Sequence, residues 1–494
     1  MNKVALTSLD WVIIAGYGLG MLLIGFYFSR QNKSSDDYLL GGRTMNPLKV
    51  GISLFATMFS AISYLSLPGE MIKHGPMMFV TIAALPFIYY VVAYFFIPYI
   101  MKLNVSSAYE LLETRVGVQS RIIASLYFLA MRFLWMGVII YMVSDKIVIP
   151  IMGWSESTAL LVSVAMGVLT IIYTSSGGLR SVILTDVIQS VVLFGGTILA
   201  IVLMMKEAGG VAVVIPDTWP QHWSGWVFFD TEVRVSFMTA FISTFGWYVC
   251  TAGSDQMAIQ RYLATRNVKE AKKMYLSSMV INVMVSLLLL VLGLGLLAYS
   301  KVHPELHEGT SVIEGADSLF PRFIAQGLPA GFSGILLAGL LAAAMSSLSS
   351  GINSSSLSIV DDFILRFRSS AMTDEHKVRL AKWISVAIGV FIVLLSLGMD
   401  KVQGNLLEVT FKTSNLFVAP LFVPFFMAMF VPFATHKATF IGTVLSGVAA
   451  VLVGFSYEMF AVAISFLWII PISFAVGVTA AVLLSFLSDK LVDQ

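Results

Sequence analysis

The sequence predicts an all-α polytopic membrane protein, and three observations carry that fold class. Hydrophobic residues fill 58% of the 494 positions and charged residues 12%, with a mean hydropathy of +0.88; a soluble globular chain could not hide that much apolar surface. The apolar residues arrive in blocks of about 20, the length a helix needs to cross a bilayer. Lysine and arginine collect in alternate loops between the blocks, as cytoplasmic loops do. The net charge of +2 points to no nucleic-acid partner. The lone cysteine, Cys250, excludes a disulfide framework and a thiolate metal cluster. The histidines fall in or beside loops, none with a companion at ligand spacing inside a span, so no metal site is expected of them. The first apolar block is long enough to stay in the bilayer, so no cleavable signal peptide is expected.

Thirteen transmembrane helices are expected from the blocks. Numbered from zero, they are 9–29, 48–73, 77–101, 121–148, 158–175, 181–205, 233–253, 274–300, 331–360, 379–399, 406–432, 438–455 and 460–487. The basic loops hold Arg30, Arg43, Arg115, Arg121, Arg180, Arg261, Arg266, Arg366, Arg379 and Lys437, against scattered Lys206, Lys301 and Lys401 on the other side. That alternation puts the N-terminus outside and the C-terminus in the cytoplasm of a plasma (inner) membrane protein. Two external segments are long. The Trp- and Pro-rich 208–232 suits a helix in the headgroup region, and 303–329 is polar and partly acidic; both read as lids or surface packing.

Span 1 is too polar for a lipid-facing helix. Thr57, Ser60, Ser63 and Ser66 recur every three residues through 53–69, and Pro68-Gly69 prepares a helix end. Irregular polar backbone is tolerated at membrane depth only where protein or a water-filled cavity lines it. One reading is a broken helix whose loosened carbonyls hold a cation; the other is a continuous helix whose hydroxyls bond their own i−4 carbonyls. Asp186, early in span 5, is an intramembrane carboxylate and needs a partner, or else sits at the interface paired with Arg180. Span 8 offers a partner: Ser346, Ser349 and Ser350 fall at i, i+3 and i+4 and share one helix face. Hydroxyls, carbonyls and one carboxylate make an all-oxygen site suited to a hard monovalent cation, against the plainer reading of a Ser/Ala packing seam. Arg132 in span 3 is expected to snorkel to the cytoplasmic interface, while Trp135 could face lipid or cavity. Gly246 among aromatics hints at a second break in span 6, and Lys412 after Glu408 reads as an i,i+4 pair near the external mouth.

Five stretches in order resemble the sodium:solute symporter family: Ser35-Asp36-Asp37-Tyr38 through Arg43; Ser107-Ala108-Tyr109-Glu110; Gly177-Gly178 with Thr185-Asp186-Val187-Ile188-Gln189; Asp255-Gln256 through Gln260-Arg261-Tyr262; and the serine-rich span 8. The resemblance implies the leucine-transporter-type fold, two inverted five-helix repeats with spans 1 and 6 broken at mid-membrane. The chain then divides into an extra helix and loop (1–46), the first repeat (47–206), an external loop (207–232), the second repeat (233–432) and two closing helices (433–494). Carried over by position, a main Na+ site would use the carbonyls of Ala56, Phe59 and Ser346 and the hydroxyls of Ser349 and Ser350. A second Na+ site would use Asp186 with Ser346, Ser349 and Ser350. The substrate cavity would be lined by Thr57, Met58, Ser60, Ser63, Ile82, Trp135, Phe245 and Trp247.

The function so implied is Na+-coupled symport of a small organic solute into the cytoplasm by alternating access, with two Na+ per substrate. Pro68-Gly69-Glu70 resembles the Pro-x-Glu pattern of the monocarboxylate, vitamin and iodide branch, which leans the substrate toward a carboxylate or other small anion; a sugar or sialic acid is the alternative. In sialic-acid members a span 3 arginine binds the carboxylate where Trp135 stands here, and a span 2 glutamine is replaced by Ile82; a span 1 glutamine of sugar carriers is replaced by Ser63. A sensor fused to a kinase is a rival, but the chain stops at Gln494 just past span 12. A membrane-embedded enzyme is another, but no span holds a histidine or Cys–His pair. Neither an enzymatic activity nor an obligatory protein partner is expected.

Overall fold

The computed structural model describes residues 6–30, 34–102, 107–210, 215–216, 218–230, 233–307, 311–368, 372–399, 406–462 and 464–492. Among them the chain is helical, without strands. Fourteen helices organise it: α1 (Ser8–Ser29), α2 (Pro47–Met58), α3 (Ala61–His74), α4 (Pro76–Lys102), α5 (Val118–Met152), α6 (Ala159–Glu207), α7 (Phe237–Ser254), α8 (Gln256–Leu263), α9 (Val268–Val302), α10 (Phe332–Phe367), α11 (Asp374–Ser396), α12 (Leu406–Phe430), α13 (His436–Gly454) and α14 (Phe466–Ser488).

Nine of these are long and apolar enough to cross a membrane, ten if the bent pair α2–α3 is one span. The expected thirteen is a larger number, and two physical reasons separate them. Spans 4 and 5 join in the 49-residue α6, which at 1.5 Å per residue would run about 74 Å, over twice the ~30 Å hydrocarbon core. It is interrupted at Gly178 (φ +63°, ψ −163°), where only glycine fits: a Cβ there would sit 2.5 Å from the carbonyl oxygen of Tyr38. Spans 6 and 10 correspond to α7 and to α12, of which only Asn415–Phe430 counts as an apolar helix among the described residues. Glu408 and Lys412, expected as an ion pair, lie outside the described side chains.

The serine-rich α10 is the centre of the molecule, with 89% of its most apolar window buried. It packs along α6, and α1 lies across both. Asp10 fastens α1 there: its carboxylate accepts from the amides of Gly331 (2.9 Å) and Gly334 (2.7 Å), free donors at the start of α10 that favour a negative charge.

Two local expectations are corrected. The helix does not end at Pro68-Gly69; α3 runs through both to His74 and stops at Gly75 (φ +79°). Gly69 serves close approach instead, since a Cβ would meet Asp317 at 2.3 Å. Nor does α7 break at Gly246. It runs unbroken to Ser254, and Asp255, with extended backbone (φ −78°, ψ 122°), ends it and caps α8 by accepting from Met257 N–H at 2.8 Å.

Candidate cation and solute site

The site is built on the break in span 1. Asn46 starts α2 by accepting from the amides of Leu48 and Lys49, with Pro47 in the first turn, where its missing N–H costs nothing. Phe59 (φ −113°, ψ 102°) and Ser60 (φ −90°, ψ 169°) are extended, and α3 leaves at 63° to α2. Backbone bonds near the break run from Phe59 N–H to Phe55 and from Ser63 N–H to Ser60, which leaves the carbonyls of Ala56 and Phe59 outside both helical ladders. The continuous-helix reading is thereby excluded.

The Ser346/Ser349/Ser350 face of α10 lies against this break, fully buried. Thr57 Oγ1 and Ser350 Oγ are 2.9 Å apart, and Ser349 donates to the Ser346 carbonyl at 3.0 Å. Asp186, with 0% exposure, accepts from Ser346 Oγ (2.6 Å) and from Ser53 Oγ (2.5 Å). It is not paired with Arg180, which binds Asp37 at 2.6 Å. Ser53, Asp186 and Ser346 therefore form one group of bonded oxygens and Thr57 with Ser350 a second, with Ala56 and Phe59 on the adjoining backbone.

Two arginines stand where the loop pattern does not put them. Arg261 belongs to no exposed basic loop. All eight residues of α8 are buried, and the Arg261 guanidinium reaches Thr57 Oγ1 and Ser350 Oγ (both 2.6 Å), Ser53 Oγ (3.2 Å) and Asp186 Oδ2 (3.6 Å). Arg132 does not snorkel: it is 7% exposed, ion-paired with Asp255 and stacked over Phe128 at 5.8 Å. Two buried guanidiniums require carboxylate partners, and Asp186 and Asp255 supply them.

Beside the break lies a cavity of about 210 Å³, far more than a single water needs and on the scale of one small organic solute. Of the expected lining residues, Thr57, Met58, Ser63, Ile82, Trp135 and Trp247 line it. Ser60 and Phe245 do not: Ser60 is buried behind the break with its hydroxyl unpartnered, and Phe245 stacks on Phe241. The sequence reading missed Arg132, Thr251 and Asn415, which line the cavity too. Each keeps a buried polar atom without a protein partner among the described residues: Arg132 Nε, Thr251 Oγ1 and Asn415 Nδ2. An intramembrane arginine and an asparagine near mid-span were the available signals.

Ion pairs join the helices near both ends of the bundle. On the face with the basic loops, Arg121 binds Asp362 (2.8 Å) and Glu113 (2.8 Å), and Arg366 also binds Glu113 (2.5 Å). On the opposite face Glu70 binds Arg234 and Lys73 binds Asp317 at 2.6 Å. There Trp223 is buried against Gly75, its indole N–H donating to the Ile72 carbonyl at 3.1 Å.

A broken membrane helix whose free carbonyls face a serine cluster, next to a solute-sized cavity, defines an ion-coupled secondary transporter. The chain belongs to the sodium:solute symporter family, whose pattern matches residues 38–446. It is 29% identical to the sodium/sialic acid symporter SiaT of Proteus mirabilis, over 91% of this chain and 90% of that protein. It is 27% identical to the human sodium-coupled monocarboxylate transporter 1, over 91% of this chain and 74% of that one. Among solved structures, a substrate-bound, outward-open Na+-coupled sialic acid symporter superposes with a TM-score of 0.86 at 27% identity, covering 97% of this chain and 98% of that one. The protein is thus a Na+-coupled symporter embedded in a membrane and moving a small solute, not an enzyme.

Proposed function

We propose that the protein imports an acceptor-rich organic acid, a sialic acid being the first candidate, together with two Na+ by alternating access. The observation that carries the substrate class is the set of unpartnered polar atoms in the cavity wall. Buried polar groups are almost always hydrogen-bonded, so Arg132 Nε–H, the Asn415 amide and the Thr251 hydroxyl await a solute or water. Two of the three are pure donors, which suits a carboxylate and ring hydroxyls. Sialic acid as substrate is what the names of SiaT and of the superposing structure state of those proteins. Trp135 and Ile82 depart from the family's sialic-acid pattern, but Arg132, one helical turn before Trp135, brings a guanidinium to the same cavity. The lean toward a small monocarboxylate is weakened by the fate of Glu70. It is spent on Arg234 at the mouth and does not line the cavity.

In this reading the main Na+ binds the carbonyls of Ala56, Phe59 and Ser346 and the hydroxyls of Ser349 and Ser350; the second binds Asp186, Ser346, Ser349 and Ser350. The freed carbonyls and the direct Asp186–Ser346 bond support both positions. Residues 47–206 and 233–432 act as the two inverted halves, with the N-terminus outside and the basic loops in the cytoplasm. The coupling energy is sufficient. Each Na+ contributes about 2.3 kcal/mol at 100 mV and about 1.4 kcal/mol from a tenfold gradient. Two ions give roughly 7 kcal/mol, and roughly 5 kcal/mol remains for a monoanion entering against the potential, an accumulation of several thousandfold.

The test is uptake into proteoliposomes under an inward Na+ gradient. N-acetylneuraminate should accumulate, glucose should not, and lactate should compete weakly. Uptake that persists when Na+ is replaced by K+ would sink the symport reading, and accumulation of glucose alone would sink the acid.

A further inference from the structure

We infer that Arg261 is a tethered internal cation that fills the second Na+ position when Na+ is absent, so that Na+ binds by displacing it and leaves as it returns. This rests on the assignment of that position to Asp186, Ser346, Ser349 and Ser350. Arg261 is fully buried, and its Nη2 makes two short contacts, 2.6 Å each, to Thr57 Oγ1 and Ser350 Oγ. The same nitrogen stands 3.6 Å from Asp186 Oδ2, while Nε donates to Ser53 at 3.2 Å. Ser350 and Asp186 are two of the four groups assigned to the second Na+, and they face a positive charge already.

The charge count makes the two cations exclusive. One carboxylate faces one guanidinium in a water-excluded interior, a neutral pair. Adding Na+ on the same hydroxyls would leave an uncompensated positive charge, and a buried charge is costly unless paired. The hydroxyls add to this, since the lone pair of Ser350 that accepts from Arg261 is lost to Na+. An arginine suits the role because it stays charged and its planar fork can span two hydroxyls at once. The guanidinium is tethered to its own helix. Arg261 Nη1 bonds the Met257 carbonyl one turn back in its own helix at 3.0 Å, and α8 is capped by Asp255, whose carboxylate holds Arg132 of the solute cavity. The cation position and the cavity are thus joined through one eight-residue helix.

This arrangement solves a problem of release. Asp186 would be left as a bare carboxylate in an apolar interior each time Na+ departed; the returning guanidinium keeps it paired at every stage. It also sets affinity, because Na+ must outcompete an intramolecular cation.

The experiment titrates the purified full-length protein with Na+ at constant ionic strength in choline and reads the unfolding temperature, comparing wild type with Arg261→Gln, Arg261→Lys and Ser350→Ala. In Arg261→Gln the apparent Na+ affinity should rise at least tenfold, and the variant should melt below wild type in choline and recover in Na+. Arg261→Lys, which keeps the charge but cannot span Thr57 and Ser350 together, should fall between the two and serves if the glutamine variant does not fold. Na+ affinity that is unchanged or weakened in whichever variant folds overturns the internal-cation assignment alone, provided wild type responds to Na+ and Ser350→Ala binds it more weakly. A wild type indifferent to Na+ overturns the site assignment as well.

Discussion

Ser350 is the residue on which most depends. It touches Thr57 across the helix break and Arg261 from α8, so its hydroxyl joins the serine face to the rest of the cluster. Removing one ligand of a charged group costs about 1.5–3 kcal/mol, and Ser350→Ala is expected to weaken Na+ binding roughly 10- to 100-fold in a sodium-dependent thermal shift. Asp186→Ala should instead lower the Hill coefficient of Na+-driven uptake toward one; a wild-type coefficient already at one would argue against two ions. Arg132 and Asp255 form a second test. Cutting either partner of a fully buried pair strands the other charge and costs about 3–5 kcal/mol. Arg132→Met should therefore lower stability by that order, and Arg132→Met with Asp255→Leu by clearly less, measured as a double-mutant cycle of unfolding. Residue chemistry was legible where local pattern creates it. The serine spacing, Asp186 and the polar run before Pro68 all announce themselves within a few residues. The arginines did not. Arg261 follows Gln260 and precedes a run of true loop cations, so in one dimension it looks like its neighbours; its partners lie 75 to 208 positions away in the chain.

At the scale of elements, helices stop elsewhere than local residues predict. Proline and glycine predict a stop in span 1, and glycine a break in span 6. The structure breaks at Phe59–Ser60 and at Asp255 instead. Asp255 is itself a capping residue, a local signal passed over in favour of Gly246; at Phe59–Ser60 no proline or glycine marks the break, and the partners beside it, such as Ser350 against Thr57, are distant in sequence and invisible to local propensity. Gly178 is the opposite case, a glycine demanded by its own dihedral angles and by Tyr38. Gly178→Ala is expected to destabilise by about 1–3 kcal/mol from the left-handed conformation alone, with more from the 2.5 Å clash. The control is Gly195→Ala in the same helix, where a Cβ meets nothing within 4 Å and helix propensity favours alanine by up to ~1 kcal/mol. Equal melting temperatures for the two variants would refute the argument.

For the whole molecule, the fold class, the central span and the family pattern were all legible, because bilayer thickness and backbone saturation leave few solutions for so apolar a chain. The exact count of spans was not, since α6 joins two blocks and two others fall short in length or apolarity. The closures at the two ends were not legible either, being pairs between distant loops. One of them carries a pH signature. Glu113, on the short helix Glu110–Val116, is held below the ordinary glutamate range by its hydrogen bonds to Arg366 and then Arg121, against the opposing effect of burial. A depressed carboxylate contributes stability above its unfolded value, near 4.3, and loses it as pH falls through the lower folded value. Glu113→Gln should thus remove part of the acid-side loss of stability and leave the neutral-pH curve shape intact; an unchanged acid limb would count against this clasp. The opposite closure has a different use. Trp223 seals the far mouth while Trp135 and Trp247 stand in the cavity wall, so the molecule carries its own optical probes at the entrance and at the solute. Opening the mouth would wet Trp223, which packs edge-on against Trp219, and acrylamide quenching of emission, compared between wild type and Trp223→Phe, would time the gate separately from the arrival of cargo.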